Sequence, residues 1–182
     1  MARSESIRGP VPGTAPTRRQ WLQAGAACAL TAALPGWALD KPAGPVVLTL
    51  SGRVRSVNDG ANAQFDMAML EAMEQQTLLT RTPWFAQARR FTGPLLRDVL
   101  ALAGAQGNTL RLIALNDYRV DMPMDDVQRH DVLLARLIDD KPLSVRDKGP
   151  LFVIYPFDSR PELRSAVYYS RSAWQLRTIE VL

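Results

Sequence analysis

The first 38 residues most strongly limit what this chain folds into, because their order of charged, apolar and small residues is not that of a globular domain. A polar leader precedes the pair Arg18 and Arg19, and an apolar stretch rich in alanine and glycine follows over 21–34. That stretch is too short and too weakly apolar to favour a stable membrane span. Gly36 and Ala38 offer the small residues of a cleavage site. We therefore expect a twin-arginine signal peptide over 1–38 and a periplasmic domain over 39–182.

The alternative for this segment is an amphipathic or buried N-terminal helix. Removal of the segment would change the charge and the thiol content of the protein. It holds four of the 22 basic and one of the 18 acidic side chains, and it holds Cys28, the one cysteine. The remainder is nearly neutral, which gives no reason to expect nucleic acid or an anionic membrane surface as a partner. It also has no thiol for a disulfide, a redox pair or a metal thiolate.

From residue 46 onward, short apolar runs alternate with turn-forming residues. We expect strands and strand-like apolar segments over 46–54, 77–82, 132–137, 151–155 and 176–181. Asp66 is placed to cap a short helix, and a clearer helix is expected to begin at Gly93 and Pro94 and to stop at Gly104.

A β-hairpin is expected where two alternating runs flank Asn116 and Asp117, since this pair favours a tight turn. Its strands would cover 110–115 and 118–122. Together these elements predict one α+β domain with a mixed, mainly antiparallel sheet and few helices.

The order of elements resembles the molybdopterin-binding domain of sulfite-oxidase-type oxidoreductases, in a small stand-alone form. The resemblance covers most of 46–182. It depends on the runs 48–52, 91–104, 139–143 and 148–151, and on Trp174 and Ile179 near the C-terminal end. It implies the sulfite-oxidase-like fold, molybdopterin as cofactor and oxidoreductase chemistry at a molybdenum ion held by a cysteine thiolate.

The family's cysteine would fall within 77–84, where this chain has none. A threonine hydroxyl or an arginine does not replace a soft thiolate as donor to a high-valent metal. Lys148 stands where the family often has histidine, and Phe152 lies near the position of a family arginine. The resemblance therefore implies the fold and a pterin, whereas the missing thiolate argues against molybdenum and against turnover. No catalytic or metal-binding residue is assigned.

Two functions remain open at this point. The first is an oxidoreductase component that binds the pterin and its phosphate through charge-assisted hydrogen bonds. The second is a non-catalytic periplasmic ligand-binding or sensory module. The candidate cofactor-binding residues are Arg81, Asn116, Tyr118, Arg146 and Lys148.

These candidates also have structural interpretations. Arg81 would be a charged residue on the protein surface, and Lys148 would only help to form its turn. Asn116 would only connect the two strands of the hairpin. We expect Trp84 and Trp174 to be core or rim residues. The expected partners are a small-molecule ligand or pterin and a periplasmic or membrane protein, without nucleic acid and without a stable membrane span after processing.

A geometric expectation follows from the first function. The loop 80–84 should face Asn116 and Lys148 across a cleft wide enough for a pterin.

Overall fold

The computed structural model describes residues 39–182. Within this range the strands are β1 Val46–Gly52, β2 Ala63–Asp66, β3 Gln76–Thr80, β4 Arg89–Gly93, β5 Thr109–Ala114, β6 Arg119–Pro123, β7 Leu133–Ala135, β8 Leu137–Ile138, β9 Lys141–Pro142, β10 Phe152–Ile154 and β11 Leu176–Val181. The helices are α1 Met67–Ala72, α2 Leu96–Leu102, α3 Met124–Arg129 and α4 Ala166–Arg171. Single 3-10 turns occur at Val145–Asp147 and Pro161–Leu163.

The largest sheet has five strands in the order β2-β1-β11-β5-β6. β1 and β11 pair in parallel, and the other neighbours pair antiparallel. Alternation along β5 buries Leu110, Leu112 and Ala114 on one face, as the period of two in a strand requires. The expected α+β class with a mixed, mainly antiparallel sheet is confirmed.

A second layer is built from a four-stranded sheet in the order β3-β4-β8-β9 and from the antiparallel pair β10 and β7. It encloses a smaller cluster of buried side chains that includes Phe91, Phe152 and Ile154. The main core lies under the five-stranded sheet and includes Leu48, Leu112 and other fully buried residues. Trp84 packs against both clusters, so one half-buried indole joins the two cores.

The short helix α1 begins where the sequence places its cap. The Asp66 carboxylate accepts the Met69 N–H at 2.8 Å, and it also accepts the N–H groups of Ala43 and Gly44 at 2.8 and 2.7 Å. These hydrogen bonds lower the pKa of Asp66 because they stabilise the ionised carboxylate, and the bond from Met69 has the largest effect. The cap therefore also holds residues 43–44 against the sheet.

Helix α2 begins later than the sequence predicts. It starts at Leu96, whereas Gly93 is the last residue of β4 and the Pro94 carbonyl accepts the Leu134 N–H at 2.9 Å. The hydrogen bond of this segment to β7 outweighs the preference of proline for a first helical position. The predicted helix start is wrong, but the buried face of Leu96, Val99 and Leu100 and the stop at Gly104 are confirmed.

Other boundaries differ by a few residues. β1 ends at Gly52 and β3 ends at Thr80, both earlier than expected. The sequence did not predict β2, β4, α3 or α4, which are four to six residues long. Elements of this length carry little periodic signal, because tertiary packing rather than local propensity stabilises them.

The predicted signal segment 1–38 lies outside the described residues. Among the helices of 39–182, none has the length and apolar character needed to cross a bilayer.

Candidate functional site

A cavity of ≈ 320 Å³ opens on the side of the five-stranded sheet where the β5–β6 hairpin meets α4. Its lining is mainly aromatic. The lining residues are Trp84, Asn116, Tyr118, Tyr169, Ser170, Ser172 and Trp174. They come from four separate parts of the chain: the β3–β4 loop, the hairpin, α4 with its C-terminal end, and the segment before β11.

The two tryptophans form a fixed corner of the cavity. Their ring centroids lie 5.6 Å apart with an interplanar angle of 72°, an edge-to-face arrangement. Behind them, the fully buried Phe152 lies 5.3 Å from Trp84 and 6.2 Å from Trp174. The Tyr169 ring meets Trp84 at 6.1 Å. Because Phe152 belongs to β10, the aromatic wall is held by the sheet and not by a loop alone.

The hairpin turn supplies the polar side of the cavity. Asp117 adopts a left-handed φ of 62°, and the Asn116 Oδ1 accepts the Tyr118 N–H at 3.2 Å. The Tyr118 hydroxyl donates to the Ser170 carbonyl at 3.0 Å, which ties the hairpin to α4. The Asp117 carboxylate accepts from Arg177 at 2.6 Å, so this acid is neutralised beside the cavity.

Helix α4 is anchored by an ion pair whose carboxylate is buried and whose guanidinium is partly exposed. The Asp126 carboxylate is 7% exposed and accepts the Tyr155 hydroxyl at 2.6 Å and the Arg171 guanidinium at 2.9 Å. Burial and the neighbouring carboxylate raise the pKa of Tyr155, so the phenol stays protonated and donates. The Arg171 guanidinium also covers the Tyr168 ring at 5.6 Å. This network orients the helix that presents Tyr169 and Ser170.

Lys148 lies beside the aromatic corner. Its ammonium is 4.3 Å from the Trp174 ring centroid, a cation–π distance. The residue has a left-handed φ of 74° after the 3-10 turn, and its carbonyl accepts the Gln175 N–H at 2.9 Å. The cation–π contact places the Lys148 ammonium beside Trp174, which forms one wall of the cavity.

The structure brings only part of the predicted set together. Asn116 and Tyr118 line the cavity, and Lys148 contacts one of its walls. Arg81 and Arg146 are exposed and do not line it. The Arg81 N–H donates to Asp158 at 2.9 Å, and Arg146 lies in the 3-10 turn before Lys148.

The expected cleft has a counterpart here, since Trp84 of the loop 80–84 and Asn116 line one cavity. Trp84 and Trp174 are half-buried rim residues of it, as expected, and they contact each other. Sequence reasoning missed Tyr169, Ser170 and Ser172, which all depend on α4. The one local signal for that helix is Ser165 at its N-cap, and its side chain accepts no cap hydrogen bond.

Comparison with known proteins agrees with this architecture. The family model described as "Oxidoreductase molybdopterin binding domain" matches residues 60–158, which include Trp84, Asn116, Tyr118 and Lys148 but not α4. A search of curated proteins gave no match.

Among solved structures, the sulfane dehydrogenase SoxCD from Paracoccus pantotrophus matches with a TM-score of 0.53 and 15% identity. The match covers 74% of this chain and 37% of that chain, so this protein spans little more than a third of its length. At this identity the likeness shows the fold alone, which is the sulfite-oxidase-like molybdopterin-binding fold. With a family model that matches more than half of its residues, the chain belongs to the oxidoreductase molybdopterin-binding domain family.

Proposed function

We propose that this chain is an exported, non-catalytic ligand-binding module, which uses the molybdopterin-binding fold to hold a flat aromatic molecule without turnover at molybdenum. The observation that carries the proposal is the aromatic wall of the cavity, formed by Trp84, Tyr118, Tyr169 and Trp174 without a thiolate donor. A sensory role, with a periplasmic or membrane protein as partner, is compatible with the same site.

The family implies molybdopterin with molybdenum, and the donor set of this chain does not fit that ion. The segment 77–84 contains hydroxyls and an arginine but no thiol. Thr80 Oγ1 accepts the Asp158 N–H at 3.1 Å, so this hydroxyl oxygen already has a hydrogen-bond partner within the protein. Within 39–182, no group of three His, Cys, Asp or Glu side chains is placed to hold a metal. A high-valent, thiophilic metal has no suitable ligand here.

The basic residues do not form a phosphate site either. A dianionic phosphate requires several charge-assisted donors that converge on it. Of Arg81, Arg146 and Lys148, only Lys148 contacts a wall of the cavity. The anionic arm of the cofactor would therefore meet one cation instead of a cluster.

A flat ring system, in contrast, matches what the cavity offers. Aromatic faces and edges bind planar molecules through offset and edge-to-face contacts. The volume of ≈ 320 Å³ is at the lower end of the range of small-molecule sites, which begins at about 300 Å³. The wall is also preorganised, because Phe152 supports both tryptophans before any ligand arrives.

The first experiment is elemental analysis of the exported protein from cells that make the cofactor, together with fluorescence of its extracted pterin. We expect no stoichiometric molybdenum. Stoichiometric metal in the exported protein would refute the non-catalytic proposal.

The second experiment locates binding. We expect flat aromatic probes such as 2-naphthamide to bind with millimolar or tighter affinity by calorimetry, and Trp174→Leu to abolish binding while the circular dichroism spectrum is retained. Val167→Ala, on the exposed side of α4, is the control and should leave binding unchanged.

Export is tested separately. Replacement of Arg18 and Arg19 by lysine should leave uncleaved precursor in the cytoplasm, because the twin-arginine route recognises the arginine pair. Sequencing of the exported product should begin near Leu39. Export of the lysine variant at the normal level would contradict the assignment of the route.

A further inference from the structure

Several polar groups of the lining are already hydrogen-bonded within the protein. Both serine hydroxyl protons are used, since Ser170 donates to the Val167 carbonyl at 2.7 Å and Ser172 to the Tyr168 carbonyl at 2.9 Å. The Asn116 Oδ1 accepts the Tyr118 N–H, and the Ser170 carbonyl accepts the Tyr118 hydroxyl. Each of these two oxygens therefore has one lone pair engaged, and each serine oxygen is left as an acceptor.

The donors of the lining, in contrast, are free within 39–182. The Asn116 amide N–H₂ and the indole N–H groups of Trp84 and Trp174 make no hydrogen bond to residues of this range. The two indole N–H groups are not among the buried polar atoms that lack a partner, and Asn116 is an exposed residue, so all three groups reach space that solvent or a ligand occupies. An amide N–H₂ and an indole N–H only donate. A ligand that satisfies them must present acceptors.

The charge beside the cavity is positive, which suits a ligand that presents hydrogen-bond acceptors. Lys148 has no ion-pair partner in the part of the chain that the structure describes, and no Asp or Glu lines the cavity. Asp117, on the hairpin turn, is held by Arg177, and Asp126 is held by Arg171. The Lys148 ammonium lies 4.3 Å from the Trp174 ring centroid and supplies an unpaired positive charge beside this wall.

We infer that the cavity selects a flat aromatic carboxylate, with its ring between the aromatic side chains and its carboxylate at Asn116 and Lys148. This inference rests on the proposed ligand-binding function and names the class of ligand. A carboxylate offers about four lone-pair sites to donors and pairs with an ammonium. An aromatic cation would meet the Lys148 charge and find no counter-ion.

A neutral pterin ring gains less here than an anion. It carries no charge to pair with the Lys148 ammonium, which lies 4.3 Å from the Trp174 ring centroid.

The inference is tested by calorimetry on the exported protein with four probes: 2-naphthoate, 2-naphthamide, 2-naphthylmethylammonium and 6-methylpterin. We expect 2-naphthoate to bind about tenfold more tightly than the amide, as one charge-assisted contact contributes about that factor. The cation should bind more weakly than the amide, and the neutral pterin more weakly than 2-naphthoate.

Two variants assign the selectivity to residues. Lys148→Met should weaken 2-naphthoate about tenfold and leave 2-naphthamide unchanged. Asn116→Asp keeps the shape but adds a negative charge, so it should weaken the anion and strengthen the cation. Lys141→Met, an exposed lysine of β9 outside the cavity lining, is the matched control and should change neither.

The outcomes separate this inference from the proposed function. Tighter binding of the ammonium or the pterin than of 2-naphthoate would overturn the inference while leaving a ligand-binding module. An equal loss for all four probes in Lys148→Met would also overturn it, because it would indicate a structural role. If none of the probes binds with a Kd below about 1 mM, the proposed function itself fails.

Discussion

At the scale of single residues, Asp66 shows how one side chain sets a local structure. It caps α1 and also holds Ala43 and Gly44, so its carboxylate receives three backbone N–H donors. Such caps contribute about 1 kcal/mol, and more when the carboxylate accepts several bonds.

We therefore expect Asp66→Ala to reduce the free energy of unfolding by about 1–2 kcal/mol, measured by urea denaturation. The pKa of Asp66 is lowered in the folded protein, so its contribution is present above the unfolded pKa and is lost as pH falls through the folded one. The variant should therefore lose most stability at neutral pH, and the loss should shrink as the pH falls through the lowered pKa of Asp66. Asp131→Asn, an exposed ion-pair partner of Arg97, is the control and should cost less than about 1 kcal/mol.

Gly93 is a second residue whose identity is dictated by its surroundings. A Cβ at this position would meet the Leu134 carbonyl and the Ala135 Cα, all backbone atoms that cannot move aside cheaply. We expect Gly93→Ala to lower the melting temperature by many degrees, because β4 could no longer approach β7. Gly44→Ala, where a Cβ would make ordinary contacts with Asp66, should be nearly neutral. Equal melting temperatures for the two variants would contradict this account.

At the scale of elements, the site depends on α4, a helix that the sequence pattern does not predict. Helix α4 is six residues long and has no side-chain N-cap bond, so its position depends on the pair of Arg171 and Asp126. A pair of this kind fixes the position of the helix more than it adds net stability. The cost of removing the two charged groups from water offsets much of their attraction.

Breaking that pair should be costly. We expect Arg171→Met to destabilise the protein by about 3 kcal/mol, because it leaves the buried Asp126 carboxyl group without its cationic partner. Combining it with Asp126→Leu should recover part of the loss in a urea-denaturation double-mutant cycle. Arg129→Met is the matched control, since Arg129 pairs with Asp125 on the surface of α3 and should cost less than about 1 kcal/mol. A surface-like cost for Arg171→Met would show that α4 is held by other contacts.

At the scale of the whole molecule, the two buried clusters are joined through Trp84, which packs against both. We expect residues 39–182 to unfold in one cooperative transition, with coincident far-UV dichroism and tryptophan fluorescence curves in urea. Trp84→Ala should separate the two curves, because a side chain that packs against both clusters is removed. Coincident curves in that variant would show that the clusters are coupled elsewhere, for example through β4 and β7.

Several features of the fold could be predicted because they depend on residues a few positions apart. The Asp66 cap, the hairpin turn at Asn116 and Asp117, the helix stop at Gly104 and the strand over 176–181 are of this kind. The candidate site was only partly predictable. Of the predicted residues, Asn116 and Tyr118 line the cavity and Lys148 contacts its wall, whereas Arg81 and Arg146 lie apart from it. The side chains of α4 were not predicted.

What the amino-acid sequence determined by itself is therefore the class of the domain, its local turns and caps, and the absence of a thiol after residue 38, since each follows from composition or from neighbours along the chain. The tertiary structure alone decided that Trp84, Asn116, Tyr169 and Trp174 share one cavity. That meeting depends on strand pairing between distant segments, such as β1 with β11, and on the ion pair between α3 and α4. Such contacts form because they lower the free energy of the whole packed core. That free energy depends on residues far apart in sequence, so no short stretch of the chain predicts it.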